Sequence, residues 1–125
     1  MPARLYRVIL PVPDIEKAAA FYGDLLAATG RRVSPGRHYF DCGGTILACF
    51  DPRADGDGFD ARPNPDHVYF AVDDLEAAYE RAKRLGCQEL SEPKKMPWGE
   101  VSFYAKDPFG NPICLVRAGT EFTGA

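Results

Sequence analysis

The chain has 125 residues, of which 46% are hydrophobic and 26% are charged, and this composition is typical of one globular domain of ordinary density. Its formal net charge of −3 provides no basic field for a phosphate backbone, so nucleic acid is excluded as an expected partner. No apolar run approaches the roughly 20 residues that span a bilayer, and the N-terminus lacks the pattern of a signal peptide. We therefore expect a cytoplasmic protein with no membrane partner.

The first predicted element is a strand from Leu5 to Val12, because its side chains alternate in character. Tyr6, Val8, Leu10 and Val12 point to one face, and Leu5, Arg7, Ile9 and Pro11 point to the other. A helix follows, with Asp14 as its N-cap and Gly30 just beyond its end. Its apolar residues recur at helical spacing, so it should cover the face of the strand that carries Leu10.

A short extended segment is expected at residues 32–34, followed by a hairpin whose strands span residues 37–41 and 45–50. Gly43 and Gly44 form the predicted turn. The first unit, about residues 4–50, is thus a strand, a helix and three strands. Residues 51–65 are rich in Asp, Gly, Pro and Ala without periodicity and are predicted to be a linker.

The second unit, about residues 66–117, repeats this order. His67 to Ala82, HVYFAVDDLEAAYERA, matches Arg7 to Tyr22, RVILPVPDIEKAAAFY, after a shift of 60 residues. A strand at 67–72 and a helix capped by Asp74 come first. The pattern then predicts a short strand at residues 87–90, a loop at 93–99 that holds the single Trp, a hairpin of 101–105 with 112–116, and a loose tail at 118–125.

The repeated opening motif and the closing segment PWGEVSFYAKDPFGNPICLV resemble the vicinal-oxygen-chelate superfamily, the group of glyoxalases, bleomycin resistance proteins and extradiol dioxygenases. The resemblance covers Arg4 to about Arg117. It implies an α+β fold in which two tandem βαβββ units form a curled mixed sheet around a cleft, with the helices outside. It also implies a single domain over residues 1–125 and, as is common in the family, a homodimer.

In metal-using members of this superfamily, the ligands lie at the opening residue of each first strand and in each last strand. The resemblance places Arg7, Ala48, His67 and Cys114 at these positions. Only His67 is a usual ligand, and a catalytic zinc site generally needs three protein ligands. We therefore expect no metal cofactor. The alternative is an unusual site in which His67 and Cys114 are joined by a third group such as Glu100.

Alternation along the first strand places Arg7 on the cleft face, where its charge needs a partner. One interpretation is a structural ion pair with an acid such as Glu100, or a side chain that reaches the rim. The other is that Arg7 binds the carboxylate or phosphate of an anionic ligand by a forked contact and replaces the positive charge of the lost metal.

The remaining candidates are His67, Cys114, an apolar wall and His38. His67 could act as a general acid or base with Glu100, or be a hydrogen-bonded histidine without a catalytic role. Cys114 could be reactive, but a small apolar filler is the favoured interpretation, and all four cysteines are expected to be reduced. A wall for an aromatic or partly apolar molecule is predicted from Ile46, Ala48, Phe50, Tyr69 and Trp98, although Trp98 could instead pack against the sheet edge. His38 is interpreted as a solvated strand end.

Three functions remain open from these residues. The preferred one is a protein that binds a small molecule, anionic or aromatic, without the standard metal. The second is a metal-dependent lyase, isomerase, thiol transferase or dioxygenase with an atypical ligand set. The third is a metal-free enzyme that uses His67.

Overall fold

A computed structural model of the chain describes residues 1–124, which form two compact units that divide between Pro63 and Asn64. Each unit has the order strand, helix, strand, strand, strand, so the predicted α+β class and the tandem βαβββ repeat are confirmed. The first unit contains β1 (Arg7–Pro11), α1 (Ile15–Leu25), β2 (Arg31–Ser34), β3 (Arg37–Cys42) and β4 (Thr45–Phe50). The second contains β5 (Val68–Val72), α2 (Leu75–Arg84), β6 (Lys94–Lys95), β7 (Val101–Lys106) and β8 (Pro112–Arg117).

The two sheets share one topology. Their strand orders are β1-β4-β3-β2 and β5-β8-β7-β6, and in each sheet the first strand is parallel to the last while the other pairs are antiparallel. Arg7 pairs with Ile46, and Tyr69 pairs with Cys114. Gly43 and Gly44 both have positive φ, which only glycine adopts without strain, and they close the β3–β4 hairpin as predicted.

Both helices begin at the predicted caps. The Asp14 carboxylate accepts a hydrogen bond from the Lys17 amide at 3.1 Å, and the Asp74 carboxylate accepts one from the Ala77 amide at 3.0 Å. Each bond satisfies one of the amides that a helix leaves unpaired in its first turn. Neither helix within residues 1–124 is long and apolar enough to cross a bilayer.

Each helix covers one face of its own sheet, and the core of each unit lies between that helix and that sheet. In the first unit Leu10, Phe40 and Leu47 are fully or almost fully buried, and they come from three adjacent strands. The corresponding core of the second unit includes Phe103 and Leu115, which are paired across β7 and β8. We call the opposite side of each sheet its helix-free face. Because side chains alternate along a strand, residues one position away from the core project onto that face.

Two parts of the second unit differ from the sequence prediction. The predicted strand at residues 87–90 is wrong, because this segment contributes only one isolated bridge, between Gln88 and Lys106. The second strand of the unit is instead Lys94–Lys95, within the predicted loop. These two lysines are exposed, so the segment carries no apolar alternation from which a strand could be predicted.

The predicted loose tail is also wrong for its first part, because backbone and side-chain hydrogen bonds tie it to the strand edge. The Val101 amide donates to the Thr120 hydroxyl at 3.1 Å, and the Phe122 amide donates to the Glu100 carboxylate at 3.0 Å. Ala125, the last residue of the predicted tail, lies outside the described residues. The expected linker at 51–65 contains neither helix nor strand, in agreement with its composition.

A buried acid organises the loop before the last strand. The Asp107 carboxylate is fully buried and accepts hydrogen bonds from the Phe109 amide at 2.9 Å, the Asn111 amide at 2.8 Å and the Asn111 side-chain amide at 2.9 Å. Asn111 in turn accepts a bond from the Asn64 amide at 2.8 Å. The DPFGN segment is therefore a structural loop.

Replacing Asp107 with Ala should destabilise the protein by about 3 kcal/mol, because it leaves buried amide donors without their acceptor. The matched control is Asp41→Ala, since Asp41 is exposed and accepts a bond from the Gly44 amide at 2.7 Å. That change should cost less than about 1 kcal/mol. Urea unfolding of the two variants measures both values, and equal losses would contradict the structural role of Asp107.

Candidate functional site

The predicted site residues of the first unit share one face of its sheet. Arg7 pairs with Ile46, and Ala48 and Phe50 follow Ile46 at intervals of two, so all four lie on the helix-free face. They do not contribute equally to its surface. Ala48 is fully buried, whereas Arg7 is exposed and Phe50 is partly exposed. The predicted grouping of these four residues on one face is thus present in the fold.

Arg7 is held by aromatic side chains. Its guanidinium donates a hydrogen bond to the Tyr39 hydroxyl at 3.2 Å and lies 5.2 Å from the centre of the Tyr6 ring. Tyr39 also accepts a hydrogen bond from Arg37 at 3.2 Å. Arg7 forms no ion pair with an acid in the part of the chain that the structure describes. Of the two structural interpretations of Arg7, the side chain that reaches solvent is therefore the one observed.

A cavity of about 740 Å³ adjoins this face of the first unit. Its apolar wall includes Ile9, Phe50 and Phe59, and the Phe50 and Phe59 rings meet edge to face with centroids 6.4 Å apart. The Arg37 guanidinium lies over the Phe50 ring, 4.3 Å from its centre. The cationic and apolar parts of the face are consequently contiguous.

The helix-free face of the second unit carries a row of three side chains across three strands. Tyr69 pairs with Cys114, and Cys114 pairs with Tyr104, so the thiol lies between two tyrosines. Tyr69 is exposed, Tyr104 is half-buried and Cys114 is fully buried. Burial raises the pKa of the Tyr104 hydroxyl above its ordinary value, and the neighbouring Cys114 and Tyr69 add to the increase. The Tyr104 phenol is therefore neutral around pH 7.

Glu100 connects two aromatic residues at the edge of this face. The Trp98 indole N–H donates to one carboxylate oxygen at 2.8 Å, and the Phe122 amide donates to the other at 3.0 Å. Glu100 itself is largely buried. Since both of its oxygens accept hydrogen bonds from its own unit, its role in the structure is to orient Trp98 and Phe122.

The structure brings three of the predicted residues, Tyr69, Trp98 and Glu100, into one pocket. Its volume is about 460 Å³. The full lining consists of Tyr69, Phe70, Ala71, Trp98, Glu100, Val116, Glu121 and Phe122. Three large aromatic side chains remain about half exposed around it, at 57% for Tyr69, 48% for Trp98 and 54% for Phe122. We refer to this as the Tyr69–Trp98 pocket.

His67 lies beside a different and smaller cavity of about 290 Å³, which Glu89, Tyr104 and Lys106 also line. Its ring meets the Tyr104 ring edge to face, with centroids 5.1 Å apart, and it is exposed. Glu89 and Lys106 form an ion pair with each other at 2.7 Å. His67 and Glu100 therefore line separate cavities, which does not favour their pairing as acid and base.

Cys114 has the surroundings of an inert thiol. Burial raises its pKa to about 11; the neighbouring Ser102 hydroxyl opposes this increase, and the Glu100 carboxylate adds to it. The Ser102 hydroxyl is itself buried and has no hydrogen-bond partner of ordinary geometry among residues 1–124. A thiol of this pKa is almost entirely protonated at neutral pH, which agrees with the filler interpretation.

His38 is packed on the helix side of its sheet. Its ring lies against Phe40 with centroids 5.2 Å apart, and it accepts a long hydrogen bond from Arg32 at 3.4 Å. Burial lowers the pKa of His38 below its ordinary value of 6.5, and the charge of Arg32 lowers it further, while Glu16 opposes both. His38 is the second residue of β3 and is partly exposed, and alternation in the strand places its ring on the same side as Phe40.

The residues at the four family ligand positions do not fit a divalent ion. Arg7 carries a permanent positive charge and Ala48 offers no donor atom, so two of the four positions supply no ligand. Residues 1–124 contain no group of three or more His, Cys, Asp or Glu side chains placed to hold a metal ion. The alternative set of His67, Cys114 and Glu100 does not converge on one point.

Several residues of these faces were not predicted from the sequence. Arg37 and Tyr39 could have been found, because the Gly43-Gly44 turn sets the hairpin register and places them opposite Phe50 and Ala48. Phe122 lies in a segment without periodicity, and only its contact with Glu100 brings it to the pocket.

These features define a class of protein, one built from two tandem βαβββ units with a helix on one face of each sheet. A family model described as Glyoxalase/Bleomycin resistance protein/Dioxygenase superfamily matches residues 4–115. The chain belongs to this superfamily, and the resemblance inferred from its sequence motifs is confirmed.

Two curated relatives carry the name "Putative glyoxylase CFP32", one in Mycobacterium bovis and one in Mycobacterium tuberculosis. This chain is 29% identical to each of them over 114 residues. The match covers 87% of the chain but 41% of either relative, so the chain spans about two-fifths of their length.

Solved structures with the same fold include a lactoylglutathione lyase from Agrobacterium tumefaciens, at 23% identity and a TM-score of 0.73, with 94% of this chain and 95% of that chain covered. A glyoxalase/bleomycin resistance protein from Albidiferax ferrireducens T118 is 22% identical with a TM-score of 0.73, and the match covers 90% of this chain and 97% of that one. At these sequence identities the likeness shows a shared fold alone.

The difference in burial among the cysteines predicts their order of reaction with a thiol reagent. At pH 8 a thiol with a pKa of about 11 is roughly one part in a thousand thiolate, so Cys114 should react with Ellman's reagent only after unfolding. The exposed Cys42 should react first in the native protein. Mass spectrometry of the labelled peptides measures the order, and Cys42→Ser is the control. Rapid native labelling of Cys114 would show that its thiol is activated.

The surroundings of His38 predict a loss of stability in mild acid. Its pKa is lower in the folded than in the unfolded chain, so the unfolded chain binds more protons below about pH 6.5. The contribution of neutral His38 is complete above that pH and is lost as pH falls through the folded-state pKa. Urea unfolding measures the free energy of unfolding at about pH 7.5 and at about pH 5.5. This free energy should fall less between the two pH values for His38→Gln than for the wild type. An equal decrease in the two proteins would contradict this contribution of His38.

Proposed function

We propose that this protein binds a small molecule with an aromatic part, and that the Tyr69–Trp98 pocket receives it. The observation that carries the proposal is the exposure of three large aromatic side chains around one cavity. Exposed apolar surface of this kind costs free energy in water and commonly marks a binding site. Relatives named glyoxylase and lactoylglutathione lyase add support for a small-molecule ligand, although they do not specify its chemistry.

The geometry of Glu100 supports a pocket that is formed before the ligand arrives. A hydrogen bond from the indole N–H limits rotation of the Trp98 ring, and the bond from the Phe122 amide holds the tail beside it. A side chain that is already ordered loses less conformational entropy on binding. Glu100 therefore acts as a positioning residue for two aromatic surfaces.

The charge of the lining favours a neutral or cationic ligand in this pocket. Glu100 and Glu121 are its charged members, and no Lys or Arg is among the residues that line it. Aromatic faces attract cations, and the effect is largest for Trp. An organic cation with an aromatic ring would meet both the carboxylates and the ring faces.

Binding without chemistry is the form of the proposal that these residues favour. A metal-dependent reaction would need donor atoms that Arg7 and Ala48 do not supply, so no catalytic step is assigned to a metal. A metal-free reaction through His67 and Glu100 is disfavoured because Glu100 is engaged by Trp98 and Phe122 and His67 lines another cavity.

Trp98 is the only tryptophan, so its indole N–H gives one resolved NMR signal that reports on the pocket. Titration with benzyltrimethylammonium and benzyl alcohol should shift this signal at concentrations where benzoate does not. Tyr69→Ala should weaken binding of the two ligands about fivefold, because an aromatic contact contributes roughly 1 kcal/mol.

Leu5→Ala is the matched control, since it removes a large exposed side chain from the first unit, 70% exposed against 57% for Tyr69. Its dissociation constants should equal those of the wild type. An indole signal that none of the three compounds moves would refute the proposed pocket, as would an equal effect of Tyr69→Ala and Leu5→Ala.

A further inference from the structure

We propose a second binding site, on the helix-free face of the first unit, for the oxyanion of an organic acid. Its centre is the Tyr39 hydroxyl, which accepts hydrogen bonds from the guanidinium groups of Arg7 and Arg37, each at 3.2 Å. The ligand class is a carboxylate or phosphate monoester with an apolar body. These residues belong to the first unit, whereas the proposed function rests on the second unit, so each proposal can fail without the other.

The hydrogen bonding of Tyr39 leaves its hydroxyl proton available to a ligand. Two guanidinium donors occupy the lone pairs of its oxygen, so its own proton must point away from both of them. No acceptor for this proton occurs among residues 1–124. The hydroxyl and the remaining guanidinium N–H groups together form a set of donors around one point. Such a set matches the oxygens of a carboxylate or phosphate.

The charge balance of this face also favours an anion, because its strand residues include three arginines and one acid, Asp41. Arg7 forms no ion pair within the described residues, and Arg37 lies 3.6 Å from Asp55, a carboxylate that also accepts bonds from Ser34 and the Gly36 amide. Arg31 pairs with Tyr39 across β2 and β3 and therefore lies on the same face. Like charges that converge repel each other, and a bound anion would offset this repulsion.

The apolar body of the ligand has a place beside the donors. The cavity of about 740 Å³ is lined by Ile9, Phe50 and Phe59, and the Phe50 ring that lines it also contacts the Arg37 guanidinium. Ile9 and Arg7 are two positions apart on β1 and share its helix-free side. A molecule that places an acidic group on Tyr39 can therefore extend its apolar part over Phe50 into the cavity. A bare inorganic anion would contact the donors but leave the apolar wall of the cavity without a partner.

Two matched pairs of aliphatic probes, which lack the ring proposed for the Tyr69–Trp98 pocket, test the site: hexanoate with 1-hexanol, and butyl phosphate with 1-butanol. Dissociation constants from ligand-detected NMR should be at least about tenfold lower for an anion than for its alcohol, because hydrogen bonds to charged groups are strong. Arg7→Ala and Tyr39→Phe should each remove most of this preference. Neither should change binding of the alcohol. The preference should also weaken as salt concentration rises.

Arg32→Ala is the charge-matched control, because Arg32 lies on the opposite side of the same sheet and pairs with Glu16. It should retain the preference for anions, and Trp98→Phe should retain it as well. Less than a threefold preference in both probe pairs would overturn the proposal. An equal loss in Arg32→Ala and Arg7→Ala would also overturn it, since the effect would then be one of overall charge.

Discussion

Each half of this protein depends on the fact that one helix can cover only one face of a four-stranded sheet. The alternation of side chains along the strands then divides every strand into a core set and an exterior set. Leu10 belongs to the first and Ile9 to the second, and a slip of one residue in register would exchange them. Burial of the apolar set beneath the helix is therefore what determines which side chains face outward.

Buried or half-buried carboxylates then order the segments around these faces. Asp55 holds the β2–β3 turn through Ser34 and the Gly36 amide, and Glu100 holds Trp98 and the chain at Phe122. A buried carboxylate is stabilised only when donors surround it, so such groups specify local geometry as well as charge. The aromatic and cationic surfaces proposed as sites are thus supported by residues that do not themselves need to touch a ligand.

The repeat supplies one scaffold and two different surfaces. At equivalent points of the two sheets a small, buried residue lies between larger neighbours, Ala48 beside Tyr39 and Cys114 between Tyr69 and Tyr104. The first surface is cationic and the second carries carboxylates and a tryptophan. The two units also share one ion pair between helix and sheet. Glu16 pairs with Arg32 in the first unit, and Glu76 pairs with Arg117 in the second.

The sequence by itself determined the element order, the helix starts at Asp14 and Asp74, and the side of the sheet on which Arg7, Phe50 and Tyr69 lie. These properties follow from local periodicity and capping, which need no knowledge of distant residues. Tertiary structure alone decided which groups meet: Arg7 reaches Tyr39 over 32 residues, and Glu100 reaches Phe122 over 22. Such contacts depend on the order of strands in the sheet and on the path of the segment after the last strand. A pattern of neighbouring residues does not encode either one.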